Sequence, residues 1–120
     1  MLDPAVVLFA NDRFYLAFNA RDSAAMDALW ALHTLPVCIH PGWSPLLDRE
    51  EIMQSWRNIF ASGDAQPGLS FHAGTVLNQG NVYTVVGYEH LGGGWLVVTN
   101  GFVVEDDEPR LFHHQASHCA

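Results

Sequence analysis

The sequence predicts an α+β fold in which three amino-terminal helices pack on a mainly antiparallel sheet. Helix-start signals with 3.6-residue apolar spacing fill the amino-terminal half, long alternating segments separated by turn signals fill the other, and no helical pattern interrupts those segments. At 120 residues the chain has the length of one domain, 1–120, and is too short for two comfortable cores.

Asp3-Pro4 starts the first helix, with Asp3 as cap and Pro4 where its missing N–H is not needed. That helix should run to about Asn19, with Val6, Val7, Phe9, Ala10, Phe14, Ala17 and Phe18 on the apolar stripe and Asn11, Asp12 and Arg13 on the other side. Tyr15 reads as a ring in the core with its hydroxyl in water, the alternative being a hydroxyl aimed inward. Asp22 or Ser23 caps a second helix through Trp30. Val37-Cys38-Ile39 is a short strand that His40-Pro41-Gly42 ends, because proline lacks a ladder donor and restricts the residue before it. Asp48, with Glu51 three residues on, opens a third helix with Ile52, Trp56, Ile59 and Phe60 on one face and its end near Gly63.

Gly63 to Gly68 is a loop by composition, and the rest is a meander. Leu69–Leu77, Val82–Leu91, Trp95–Glu105 and Leu111–His118 are its strands. An even-length connection through Gly92-Gly93-Gly94 sets Val85 opposite Asn100 and Tyr83 opposite Phe102, so Tyr83, Val85, Gly87, Glu89, Leu96, Val98, Asn100 and Phe102 share a face. A five-residue loop from Glu105 to Pro109 then sets Asn100 opposite His114. A bulge or an odd-length turn in either hairpin would bring in His113 instead or move Asn100 outward.

Thirteen acidic against five basic residues give a formal charge of −8, which repels phosphate backbones and argues against nucleic acid. No apolar run is long enough to span a bilayer, no leader pattern opens the chain, and Cys38 and Cys119 read as reduced thiols. The expected setting is cytoplasmic. With 49% hydrophobic and 15% charged residues, an outer sheet face bearing Val86, Tyr88, Trp95, Val97 and Val103 should be covered by a second copy, making a homodimer.

Seven histidines raise a metal site, but His114 and His118 stand ~13 Å apart along a strand and His113 and His114 point oppositely, so neither a metal nor another cofactor is expected. His40 and His114 are the candidate acid/base pair, since imidazole exchanges protons near neutral pH. Asn100 is the candidate donor to a developing oxyanion. Phe14, Trp43, Trp56, Tyr83, Phe102 and His113 are candidate ligand contacts around a mostly apolar small molecule. Glu89, the one acid in the middle of a strand pattern, joins them, although the nearby glycines also give it a path to solvent.

His40-Pro41-Gly42-Trp43, Ile52-Met53-Gln54-Ser55-Trp56, Thr99-Asn100-Gly101-Phe102 and His113-His114-Gln115-Ala116-Ser117, in this order of elements, resemble the small bacterial members of the NTF2-like superfamily, the SnoaL-like or cystatin-like α+β cone. The resemblance covers the whole chain and implies a strongly curved sheet wrapped around the helices over a pocket. That superfamily holds steroid isomerases, polyketide cyclases, scytalone dehydratase and epoxide hydrolases as well as binding and assembly modules, so the fold names no reaction. Its isomerases use a carboxylate base inside the cone, where this chain has Cys38 and His40 on the corresponding strand. Its dehydratase-like members use two histidines with a carboxylate and tyrosines, a composition that His40, His114, Glu89 and Tyr83 match.

Overall fold

In the computed structural model, which describes residues 1–62 and 68–119, the helices are α1 (Pro4–Ala20), α2 (Ser23–Leu29) and α3 (Arg49–Phe60), and the strands are β1 (Val37–Ile39), β2 (Ser70–Asn78), β3 (Val82–Leu91), β4 (Gly94–Glu105) and β5 (Glu108–His118). The loop expected from Gly63 to Gly68, and the closure of the third helix near Gly63, lie outside the described residues except at Gly68. The three aspartate caps form as the sequence requires: Asp3 Oδ1 accepts from Ala5 N, Asp22 Oδ1 from Ala25 N and Asp48 Oδ2 from Glu51 N. Helix α2 stops one residue short of Trp30, which is fully buried and bridges Leu111 instead.

The five strands form one open sheet in the order β1-β5-β4-β3-β2, antiparallel throughout except that β1 runs parallel to β5. The helices cover its inner face, and the main core lies between them: Val7, Phe14, Met26, Leu29, Ile52 and Trp56 meet Val85, Phe102 and Leu111. The β3–β4 hairpin pairs Val85 with Asn100 and Tyr83 with Phe102 through a Gly92-Gly93 turn whose φ values, 58° and 90°, favour glycine.

The β4–β5 pair reaches the expected opposition of Asn100 and His114 by a different route. The turn is two residues, Asp106-Asp107, both in the left-handed region, rather than the five from Glu105 to Pro109. That turn alone would put Asn100 opposite His113. A bulge between Gly101 and Phe102 then takes up Phe112 as an extra residue, so that Phe102 pairs with Leu111 while Gly101 pairs with His113. The two departures cancel.

The face of α1 also differs from its reading. The buried residues are Val7, Ala10, Asn11, Phe14, Tyr15 and Ala17, whereas Phe9 is 67% exposed. Positions 7, 10, 11, 14 and 15 keep a helix-facing spacing, and Asn11 and Tyr15 occupy it as polar members.

Gly87, on the inner face of β3, has no room for a side chain: a Cβ there would lie 2.8 Å from the His72 carbonyl oxygen and 2.5 Å from the Phe71 ring. Phe71 stacks on Tyr15 with centroids 5.1 Å apart, so the strain passes toward the centre of the molecule. Gly87→Ala is expected to cost about 1–3 kcal/mol by overpacking, read as a lower urea midpoint at unchanged slope.

Candidate active site

The parallel pairing of β1 with β5 sets Cys38 beside His114 and leaves His40 just past the end of β1, so the two histidines reach one region from adjacent strands. His40 is held between two indoles in edge contacts, with centroids 4.7 Å from Trp43 and 4.6 Å from Trp56. The Ser55 hydroxyl donates to the Ile52 carbonyl at 2.6 Å, so in its 2.9 Å contact with His40 Nε2 it accepts. The His40 proton is thereby on Nε2, and Nδ1 carries a lone pair. Burial lowers the His40 pKa to about 4.

His114 packs against Phe14, centroids 4.7 Å apart, and belongs to a buried chain of hydrogen bonds. The Tyr15 hydroxyl lies 2.6 Å from Glu89 Oε2, and Asn100 Nδ2 lies 3.1 Å from the same hydroxyl and 2.9 Å from Asn11 Oδ1. When Glu89 is ionised it can only accept, so Tyr15 donates to it and Asn100 donates to Tyr15 and Asn11. Asn100 Oδ1 then accepts from His114 Nδ1 at 2.6 Å, which leaves the lone pair of His114 on Nε2. Burial, then the neighbouring His40 and His113, lower the His114 pKa to about 3. Burial raises the Glu89 carboxyl to about 7, against the opposing hydrogen bond from Tyr15. Burial and the adjacent Glu89 push the Tyr15 phenol well above its ordinary range.

These groups border a cavity of about 190 Å³. Phe14 and Phe18 of α1, Trp56 and Ile59 of α3, and Leu69, Leu91 and Leu96 supply its apolar wall. His40, Glu89 and His114 supply side-chain polarity, and Pro41 and Trp43 stand at the turn after β1. Trp43 is 48% exposed and marks the mouth.

Of the ten residues singled out in the sequence, Phe14, His40, Trp43, Trp56, Glu89 and His114 line this cavity. Glu89 does not reach solvent past the glycines: it is buried and held by Tyr15. Asn100 is fully buried behind His114, and both its amide hydrogens are taken, so it has none for a ligand. Tyr83 accepts from the Leu2 backbone N–H, Phe102 is a core side chain, and the bulge leaves His113 half-buried away from the cavity. Tyr15 turns its hydroxyl inward, the alternative to placing it in water, and Asn11 and Ser55 join the site without being singled out in the sequence. The helical spacing of Asn11 and Tyr15 with Val7 and Phe14 was the available signal for two of them.

Among the described residues no helix is long and apolar enough to cross a membrane, and no group of three or more His, Cys, Asp or Glu could hold a metal ion. In solved structures, the chain is similar to a candidate calcium/calmodulin-dependent protein kinase type II association domain from Thiobacillus denitrificans, 30% identical with a TM-score of 0.82, covering 92% of this chain and 93% of that one. It is also similar to a candidate dehydratase of the NTF2-like family from Streptomyces avermitilis, 27% identical with a TM-score of 0.85, covering 97% and 95%. An NTF2-like protein from Cytophaga hutchinsonii, 12% identical with a TM-score of 0.80 over 99% of this chain and all of that one (100%), shares the fold. Among curated proteins it matches the F-box protein SKIP8 of Arabidopsis thaliana at 26% identity over 92% of this chain, which spans 48%, about half, of that relative's length. Residues 7–120 match the SnoaL-like domain model, and the chain therefore belongs to the SnoaL-like family of the NTF2-like, cystatin-like α+β fold.

Proposed function

We propose that this chain takes a small, uncharged, mostly apolar ring molecule into the cavity and moves a proton on it, in chemistry of the isomerase, cyclase or dehydratase type. The observation that carries the reading is the pairing of an apolar wall with Glu89, whose carboxyl is raised to about 7 and so exchanges a proton near neutral pH. Glu89 is the base in this reading, His40 and His114 stay neutral and hold the substrate, and Asn100 positions His114. The candidate dehydratase among the similar structures supports a proton-transfer reaction.

A screen of one- and two-ring compounds by NMR, followed by turnover assays, tests the reading. Glu89→Gln keeps the shape and is expected to cost on the order of 100-fold or more in turnover, well beyond its effect on binding. His40→Ala and His114→Ala are expected to weaken binding as well. If every variant loses only affinity and no turnover is found, the site is a non-catalytic binding pocket.

A second reading concerns assembly in a homodimer. Tyr88 and Trp95 on the outer sheet face are 43% and 46% exposed, and His72 and His90 ring Trp95 at 5.2 and 4.6 Å. A second copy covering this face would remove that apolar surface from water. Sedimentation at micromolar concentration should show a dimer that Trp95→Glu dissociates; a wild-type monomer would remove this reading. The buried thiol of Cys38, which burial raises to about 12, fits a reducing, cytoplasmic setting.

A further inference from the structure

The hydrogen-bond directions in the site fix what its wall can offer, and this deepens the reading of the cavity as a ligand pocket, on which it rests. His40 spends its N–H on Ser55, and His114 spends its N–H on Asn100. Asn100 spends both amide hydrogens on Asn11 and Tyr15, and Tyr15 spends its hydroxyl hydrogen on Glu89. With Glu89 ionised, what the described residues offer inside the cavity is His40 Nδ1, His114 Nε2 and Glu89 Oε1, three acceptors on residues that line it, while the Trp43 indole N–H stands at the mouth. Among the described residues the Trp56 indole N–H has no partner, but it is itself occluded, so it adds no donor to the wall. Among the described residues the two rings have no carboxylate partner, and they sit among Phe14, Trp43 and Trp56, surroundings that keep them neutral.

From this we infer that the ligand is an uncharged cyclic molecule that carries hydroxyl or N–H donors, and that the site rejects carboxylates and acceptor-only molecules such as ethers and ketones. Inside the cavity a carboxylate would meet these three acceptors, one of them Glu89, and among the described residues the side-chain donor it could reach is the Trp43 indole N–H at the mouth. An ether or ketone would strip water from those acceptors and return nothing, and an unmatched buried polar group discriminates strongly. The volume suits the class: a cavity of about 150 Å³ holds benzene, so about 190 Å³ takes one substituted ring.

The test is a titration at pH 8, where Glu89 is ionised, with resorcinol, 3-methoxyphenol, 1,3-dimethoxybenzene and benzoate, followed by NMR shifts of the cavity residues. Each methylation removes one donor and adds apolar bulk that an apolar wall would otherwise reward. Affinity is expected to fall from resorcinol to the dimethyl ether by about 10-fold or more, with benzoate not bound. In Glu89→Gln, Tyr15 donates to the carboxamide oxygen and the new NH₂ faces the cavity, so the preference for resorcinol over the diether should shrink by a similar factor. Affinity that holds level or rises along the series overturns the inference while leaving the pocket intact. Failure of all three uncharged ring compounds to bind removes the pocket reading itself, and tight binding of benzoate overturns the acceptor-lined interior.

Discussion

Lowering the pH from 7 to 4 is expected to remove on the order of 3 kcal/mol of stability, a large share of what a marginally stable domain has. His40 and His114 have folded pKa values lowered to about 4 and about 3 from 6.5. Between those limits the unfolded chain binds protons that the folded chain refuses, so stability falls as pH drops below 6.5. At 1.36 kcal/mol per unit the two together account for about 6 kcal/mol at pH 4. Glu89 acts in the opposite sense. Its pKa rises from 4.5 to about 7 on folding, so its penalty is full above pH 7 and is relieved as pH falls toward 4.5, returning about 3 kcal/mol. Stability should therefore level off near pH 6.5 to 7.5 and decline by about one proton's worth per unit below 6. Urea denaturation across this range checks the shape. Glu89→Gln removes the offset, so its acid limb should be steeper than that of the wild type; a parallel limb would mean that Glu89 does not titrate near 7.

Asn100→Leu is expected to cost on the order of 3–6 kcal/mol although it keeps the branched shape of the side chain and adds apolarity. The leucine leaves the His114 N–H, the Asn11 oxygen and the Tyr15 hydroxyl without the partner each now has, in surroundings that water does not reach, at about 1–3 kcal/mol for each group. Tyr15→Phe, which breaks a smaller part of the same chain, should cost less than half as much. Asn100→Asp separates the roles: it keeps an acceptor for His114 but adds a negative charge beside it, so the His114 pKa should rise by NMR titration. If Asn100→Leu proves within about 1 kcal/mol of wild type, the network is ornamental to folding.

Much of this molecule is legible because its signals are local. The caps at Asp3, Asp22 and Asp48 specify helix starts through side chain and backbone alone, and the glycines after Leu91 specify an even hairpin. Asn100 and His114 emerge opposite one another, but the reasoning that pairs them assumes a long turn where the chain has a short one and a bulge. A bulge leaves no mark in hydrophobic alternation when its extra residue, Phe112, is itself apolar. Gly101 is the trace it leaves: a Cβ there would come 3.1 Å from that of His113. Asn11 and Tyr15 are hidden for another reason. Residue type argues for water at both, and only their partners, 89 residues away at Asn100 and 74 away at Glu89, make burial affordable. Glu89 likewise cannot be assigned without Tyr15. A polar site assembled from distant strands and a helix face is invisible one element at a time.

The bulge at Phe112 also turns the identity of the interior histidine into a matter of arithmetic. Gain or loss of a single residue in the exposed turn at Asp106-Asp107 is ordinarily neutral, because surface turns absorb changes in length. Here, unless the bulge compensates, the same event would rotate β5 by one side chain and present His113 in place of His114, along with every alternate neighbour. Relatives that differ in the length of this turn can thus differ in interior chemistry without one substitution in the cavity. Insertions and deletions at the rim are a route by which such a fold acquires a new specificity in one step.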